Sequence, residues 1–70
     1  MAMDLPKILG RNVRDWRKRR NMSQEELALE TGMKRSYVSD IERGTRNPSV
    51  KAIARLASVL KVEPDVLLRR

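Results

Sequence analysis

The sequence predicts an all-α fold of five short helices in one compact domain, and three observations lead there. Apolar residues recur three and four positions apart along most of the chain, helix-capping side chains stand just ahead of those runs, and Gly32 and Gly44 follow two of them. The domain is expected to span residues 1–70, with no internal repeat and no low-complexity segment. A chain of 70 residues buries only about 60% of its unfolded surface, so no separate small-molecule effector domain is expected.

Residues 1–3 carry no structural signal and are expected to be disordered. Asp4 can cap a first helix that tolerates Pro6 in its first turn and runs to about Arg19. Leu5, Ile8, Leu9, Val13 and Trp16 share one face of it, and Lys7, Arg11, Arg14 and Lys18 lie opposite. Most of that basic stripe reads as a solvated face, with phosphate or membrane contact the other reading. Trp16 reads as core.

Ser23 with Glu26 forms a capping box, Met22 and Leu27 stand at the staple positions around it, and the helix should stop at Thr31 because Gly32 can turn left-handed. The next helix, about 35–43, has only Val38 and Ile41 as its apolar stripe, too narrow for burial on all sides. Ser36, Asp40, Arg43 and, less squarely, Ser39 lie on its opposite, exposed face. Ala28 is small enough for a close crossing. Residues 23–43 therefore have helix-turn-helix spacing.

Gly44 should cap that helix, and Thr45-Arg46-Asn47-Pro48 reads as a loop. Ser49 caps a fourth helix whose wide apolar face, Val50, Ile53, Ala54, Leu56, Ala57 and Leu60, predicts that it is mostly buried. Pro64 and Asp65 favour a fifth, short helix through Val66, Leu67 and Leu68.

The absence of Cys and His removes disulfides, the usual zinc sets, thiol catalysis and a Ser-His-Asp arrangement, so neither an enzyme nor a cofactor is expected. No apolar run approaches the roughly 18 residues that span a bilayer, and the N-terminus lacks a signal-peptide core, which predicts a cytoplasmic protein. With 16 Lys and Arg against 9 Asp and Glu, the chain carries a formal charge of +7 and should seek polyanions. One Trp, one Tyr and no Phe are too few for base-stacking platforms, which makes duplex DNA the better partner.

The series SQEELA, Gly32-Met33, RSYVS-x-IE-x-G and RNPS closely resembles the phage-repressor and Cro type of helix-turn-helix regulator, the XRE family, from about Leu9 to Leu68. RSYVSDIERGTRNPS also looks like the controller proteins of restriction-modification systems. The resemblance implies a lambda-repressor-like domain of five helices that regulates transcription by binding a palindromic operator as a homodimer, with the second helix of the motif in the major groove. Lys61 departs from the pattern, occupying a place where the family usually has Gly.

Under that reading Arg35, Ser36, Tyr37 and Asp40 are the candidate base-reading residues, Tyr37 having an equal alternative role at the edge of the core. Gln24, Lys34, Arg43, Arg46 and Asn47 are the candidate phosphate contacts. The resemblance further implies an ion pair between Arg17 and Glu42, and a dimer interface that includes Pro64 and Val66. A second reading is an antitoxin-like protein whose main partner is another protein. A third is a membrane-binding basic module, which explains the charge but not the motif.

Overall fold

The computed structural model describes residues 3–70 as four α-helices and a closing 3₁₀ turn: α1 (Leu5–Arg19), α2 (Gln24–Thr31), α3 (Arg35–Glu42), α4 (Val50–Leu60) and Pro64–Leu68. The expected disorder of residues 1–3 falls, for its first two positions, outside the described residues.

The chain is all-α, but the expectation of five helices is corrected to four. Pro64–Leu68 is 3₁₀, with Val66 N–H donating to the Glu63 carbonyl at 3.0 Å and Arg69 N–H to that of Val66 at 3.4 Å. Five residues opened by a proline offer too few i→i+4 bonds for an α-helix. Carbonyl oxygens at the end of this turn bond instead to α1: Asn12 Nδ2 donates to the carbonyls of Leu67 at 2.9 Å and Arg69 at 2.6 Å.

Local signals account for the helix starts. Asp4 accepts from the Lys7 N–H at 3.1 Å and Ser49 from that of Ala52 at 3.1 Å. At the start of α2 the capping box is complete in both directions, Ser23 Oγ with the Glu26 N–H at 3.0 Å and Glu26 Oε1 with the Ser23 N–H at 2.8 Å.

Each helix and the closing turn contribute to one core of Leu9, Val13, Leu27, Ala28, Val38, Ile41, Leu56, Ala57, Leu60 and Leu67. Trp16 packs against this core as a half-buried residue, its ring covered on the outside by the guanidinium groups of Arg19 and Arg20 at 4.7 and 5.4 Å. The breadth expected of the α4 face is also corrected, for Val50 is 84% exposed and Ala54 is exposed. At about 100° per residue Leu56, Ala57 and Leu60 occupy the centre of the buried arc, and Val50 and Ala54 lie at its border.

α1 crosses the end of α3 at Gly10, whose spacing allows no side chain: a Cβ there would stand 2.2 Å from the Ile41 carbonyl oxygen and 2.8 Å from that of Glu42. Helix α4 ends on Lys61 in the left-handed region, φ 61°, at a cost on the order of 1 kcal/mol. Arg20 Nε, reaching across from the end of α1, donates to the Leu60 carbonyl at 2.8 Å and ties that strained corner down.

Candidate nucleic-acid interface

The interface is built on α2, α3 and the sharp corner between them. Gly32, at φ 74°, reverses the chain, and Met33 N–H donates back to the Ala28 carbonyl at 2.9 Å. Thr31, buried at the same corner, donates through Oγ1 to the Leu27 carbonyl at 2.7 Å. Val38 and Ile41 anchor α3 in the core, which leaves Arg35 and Ser36 exposed and Ser39 and Asp40 half-exposed. Arg43, just past the helix end, is exposed as well.

Lys34 stands at the N-cap of α3 and supplies no side-chain bond to it. An ammonium has no lone pair for the orphan N–H groups and its charge opposes the positive helix end. Its side chain is exposed beside Arg35.

Arg17 and Glu42 meet across α1 and α3 in a two-pronged pair, Nε to Oε2 at 2.7 Å and Nη2 to Oε1 at 3.0 Å. The Glu42 side chain is only 3% exposed and that of Arg17 12%. Arg17 Nη1 also donates to the Met22 carbonyl at 2.8 Å, and Gln24 Nε2 donates to Glu42 Oε1 at 3.0 Å. One carboxylate thereby joins α1, the start of α2 and the end of α3. Gln24, a candidate phosphate contact, has one amide hydrogen committed to this joint.

Asp40 gathers a second cluster. It accepts from Arg43 Nη2 at one oxygen and from Arg46 Nε at 3.5 Å at the other. The hydrogen bond from Arg43 is the main reason its carboxyl lies below the ordinary value of 3.8. Thr45 closes the corner, its hydroxyl donating to the Asp40 carbonyl at 3.1 Å. The Arg46 guanidinium also lies 5.3 Å from the centroid of the Tyr37 ring. Tyr37 is half-buried and packs on the core, while Arg46 and Asn47 are exposed on the loop. Arg35 takes no part in either cluster among the described residues.

Pro64 and Val66 lie apart from this face, on the closing turn; Pro64 is exposed, Val66 half-buried and Leu67 wholly buried. Sequence reading missed Gly10, Asn12 and Arg20, which hold α1 against the other elements. Only Gly10 carried a signal, being a poor helix former in the middle of an amphipathic helix. No helix is long and apolar enough to cross a membrane, among the described residues.

Comparison with known proteins places this geometry. The helix-turn-helix family profile matches residues 13–67. The control protein C.BamHI of Bacillus amyloliquefaciens is 45% identical over 69 residues, covering 97% of this chain and 85% of that protein. The crystal structure of the restriction-modification controller protein C.AhdI from Aeromonas hydrophila superposes with a TM-score of 0.85 at 42% identity, over 89% of this chain and 94% of that one. SinR, a master regulator for biofilm formation solved in complex with DNA, superposes with a TM-score of 0.83 at 35% identity, over 87% and 98%.

Proposed function

This chain belongs to the helix-turn-helix family, among relatives of the restriction-modification controllers and XRE-type regulators, and from that premise we propose that it is a sequence-specific DNA-binding transcription regulator. It acts by occupying a palindromic operator as a homodimer in the cytoplasm, with α3 in the major groove. The observation that carries this reading is the exposed polar face of α3 on a helix whose orientation is held by the buried Arg17–Glu42–Gln24 joint.

Arg35 is the first candidate for base reading, since its exposed guanidinium can donate two parallel hydrogen bonds to O6 and N7 of guanine. Ser36 stands beside it on the exposed face. Asp40, if it accepts from cytosine, must do so while sharing its oxygens with Arg43 and Arg46, which sharpens the demand on the base it meets. Tyr37 offers a ring edge to a thymine methyl from the border of that face. Gln24, Lys34, Arg43, Arg46 and Asn47 are assigned to phosphates, which set register and affinity without reading sequence.

Two modules on a two-fold axis place their recognition helices about 34 Å apart, one DNA turn. Pro64 and Val66 are assigned to the interface between them, and the exposure of Pro64 and the half-exposed side of Val66 on the closing turn support this. Selection of bound duplexes from a random pool is the decisive experiment. A palindrome whose half-sites are one turn apart is expected; a pool that emerges without an enriched motif rules the reading out.

A further inference from the structure

Tyr37 opens onto a groove between α3 and α4 whose other lining residues are Met33, Ser49, Lys51, Ala52 and Arg55. The groove has a chemistry of its own. Lys51 and Arg55 are both exposed and, four residues apart on α4, project to the same side of the helix. Neither joins any ion pair among the described residues, and no carboxylate lines the groove. Arg46, over the Tyr37 ring, adds a third cationic group to this border, one already shared with Asp40 at 3.5 Å.

Its place relative to α3 gives the cluster a use. Arg35 and Tyr37 are separated by about 200° of rotation and so border the buried stripe on opposite sides. The joint formed by Gln24 with Glu42 lies where α2 meets α3, whereas Tyr37 borders α4. A duplex seated on the polar face of α3 therefore has the start of α2 on one flank and the Lys51/Arg55 edge of α4 on the other.

We propose that Lys51 and Arg55 form a second phosphate clamp, holding the DNA strand on the Tyr37 flank of the major groove. This rests on the DNA-binding reading above and extends it to a helix outside the motif. The two cations set affinity and the seating of α3, and read no base. Alone they would be two solvated charges; the acid-free groove, the aromatic wall and the neighbouring Arg46 make them one surface.

The test uses the intact protein, with Lys51→Gln/Arg55→Gln set against Arg14→Gln/Lys18→Gln, which removes the same charge from the solvated stripe of α1. Binding of the selected operator and of an unrelated duplex is measured from 50 to 200 mM salt, after thermal melts show that both variants fold. Losing two phosphate contacts should lower the log–log salt slope by about 1.8, so the affinity lost across that salt range becomes about 12-fold smaller. Both duplexes should weaken together, with base preferences unchanged, and the α1 control should move the slope by less than half as much. Equal slopes for the two variants, or a changed base preference in the α4 variant, would overturn the clamp alone. Failure of the unmodified protein to bind any duplex would overturn the DNA-binding reading and the clamp with it.

Discussion

Replacing Glu42 with Leu removes the acceptor of three hydrogen bonds, two from Arg17 and one from Gln24, at a site where the carboxylate is 3% and the guanidinium 12% exposed. Breaking a fully buried pair from one side costs roughly 3 to 5 kcal/mol, because the remaining charge is left without a counter-charge. In Glu42→Leu the stranded Arg17 keeps its bond to the Met22 carbonyl and some contact with water, so about 3 kcal/mol is expected. In Arg17→Met the stranded carboxylate is the more buried partner and keeps only the Gln24 amide, so about 4 kcal/mol is expected. The double variant leaves no buried charge, and apolar replacements of similar volume are often neutral. Its loss should be at most about 3 kcal/mol, well short of the sum of the single losses, giving a coupling of at least about 4 kcal/mol. Thermal and urea unfolding of the four proteins measure this. A single variant should melt at least about 12 °C below the parent, taking 4 to 8 °C per kcal/mol for a domain of this size. If the single losses simply add, the pair does not couple α1 to α3 and the proposed orientation of the recognition helix loses its support.

Gly10→Ala should destabilise the fold by at least about 3 kcal/mol despite alanine's better helix propensity, because the new methyl meets backbone oxygens that cannot rotate away; a raised melting temperature would refute the crossing. Lys34→Ser should raise stability by about 0.5 to 2 kcal/mol by capping α3, and should weaken binding to all duplexes alike; unchanged affinity at low salt would remove Lys34 from the phosphate contacts. Because Asp40 has a lowered pKa in the folded state, its contribution to stability is full above the ordinary value of 3.8 and is lost as pH falls through the folded pKa. The melting difference between the parent and Asp40→Asn should therefore shrink as pH falls below that value, and a difference that grows there would contradict the pairing with Arg43 and Arg46. Arg35→Ala should cost about 1 to 3 kcal/mol on the operator and relax one position per half-site; a repeated selection that returns the same motif with no position relaxed would end the base-reading assignment.

What the sequence determined by itself lies within one or two turns of chain. Asp4, Ser23 with Glu26, and Ser49 set helix starts because each bonds to a backbone N–H three residues away, and Gly32 sets the corner because it can adopt a positive φ. The Val38/Ile41 stripe and the polar residues opposite it follow from helical rotation alone, so the exposed face of α3 is legible in the order of its residues. Tertiary structure decided everything that depends on which elements cross and at what distance. The spacing at Gly10 depends on the carbonyls of Ile41 and Glu42, about thirty residues away in the chain, and no local pattern encodes it. The closing segment became 3₁₀ because it is short and its end carbonyls meet Asn12 of α1. Asp40 was legible as lying opposite the apolar stripe, but its half-exposure and its engagement with Arg43 and Arg46 depend on the path of the 45–48 loop. Likewise Lys51 and Arg55 are an ordinary pair of charges in the sequence, and they acquire a surface only where α4 packs beside Tyr37. The physical reason is the range of the forces involved: caps and rotation act within a turn, whereas burial, close approach and charge grouping exist only once distant segments have been brought together by the core.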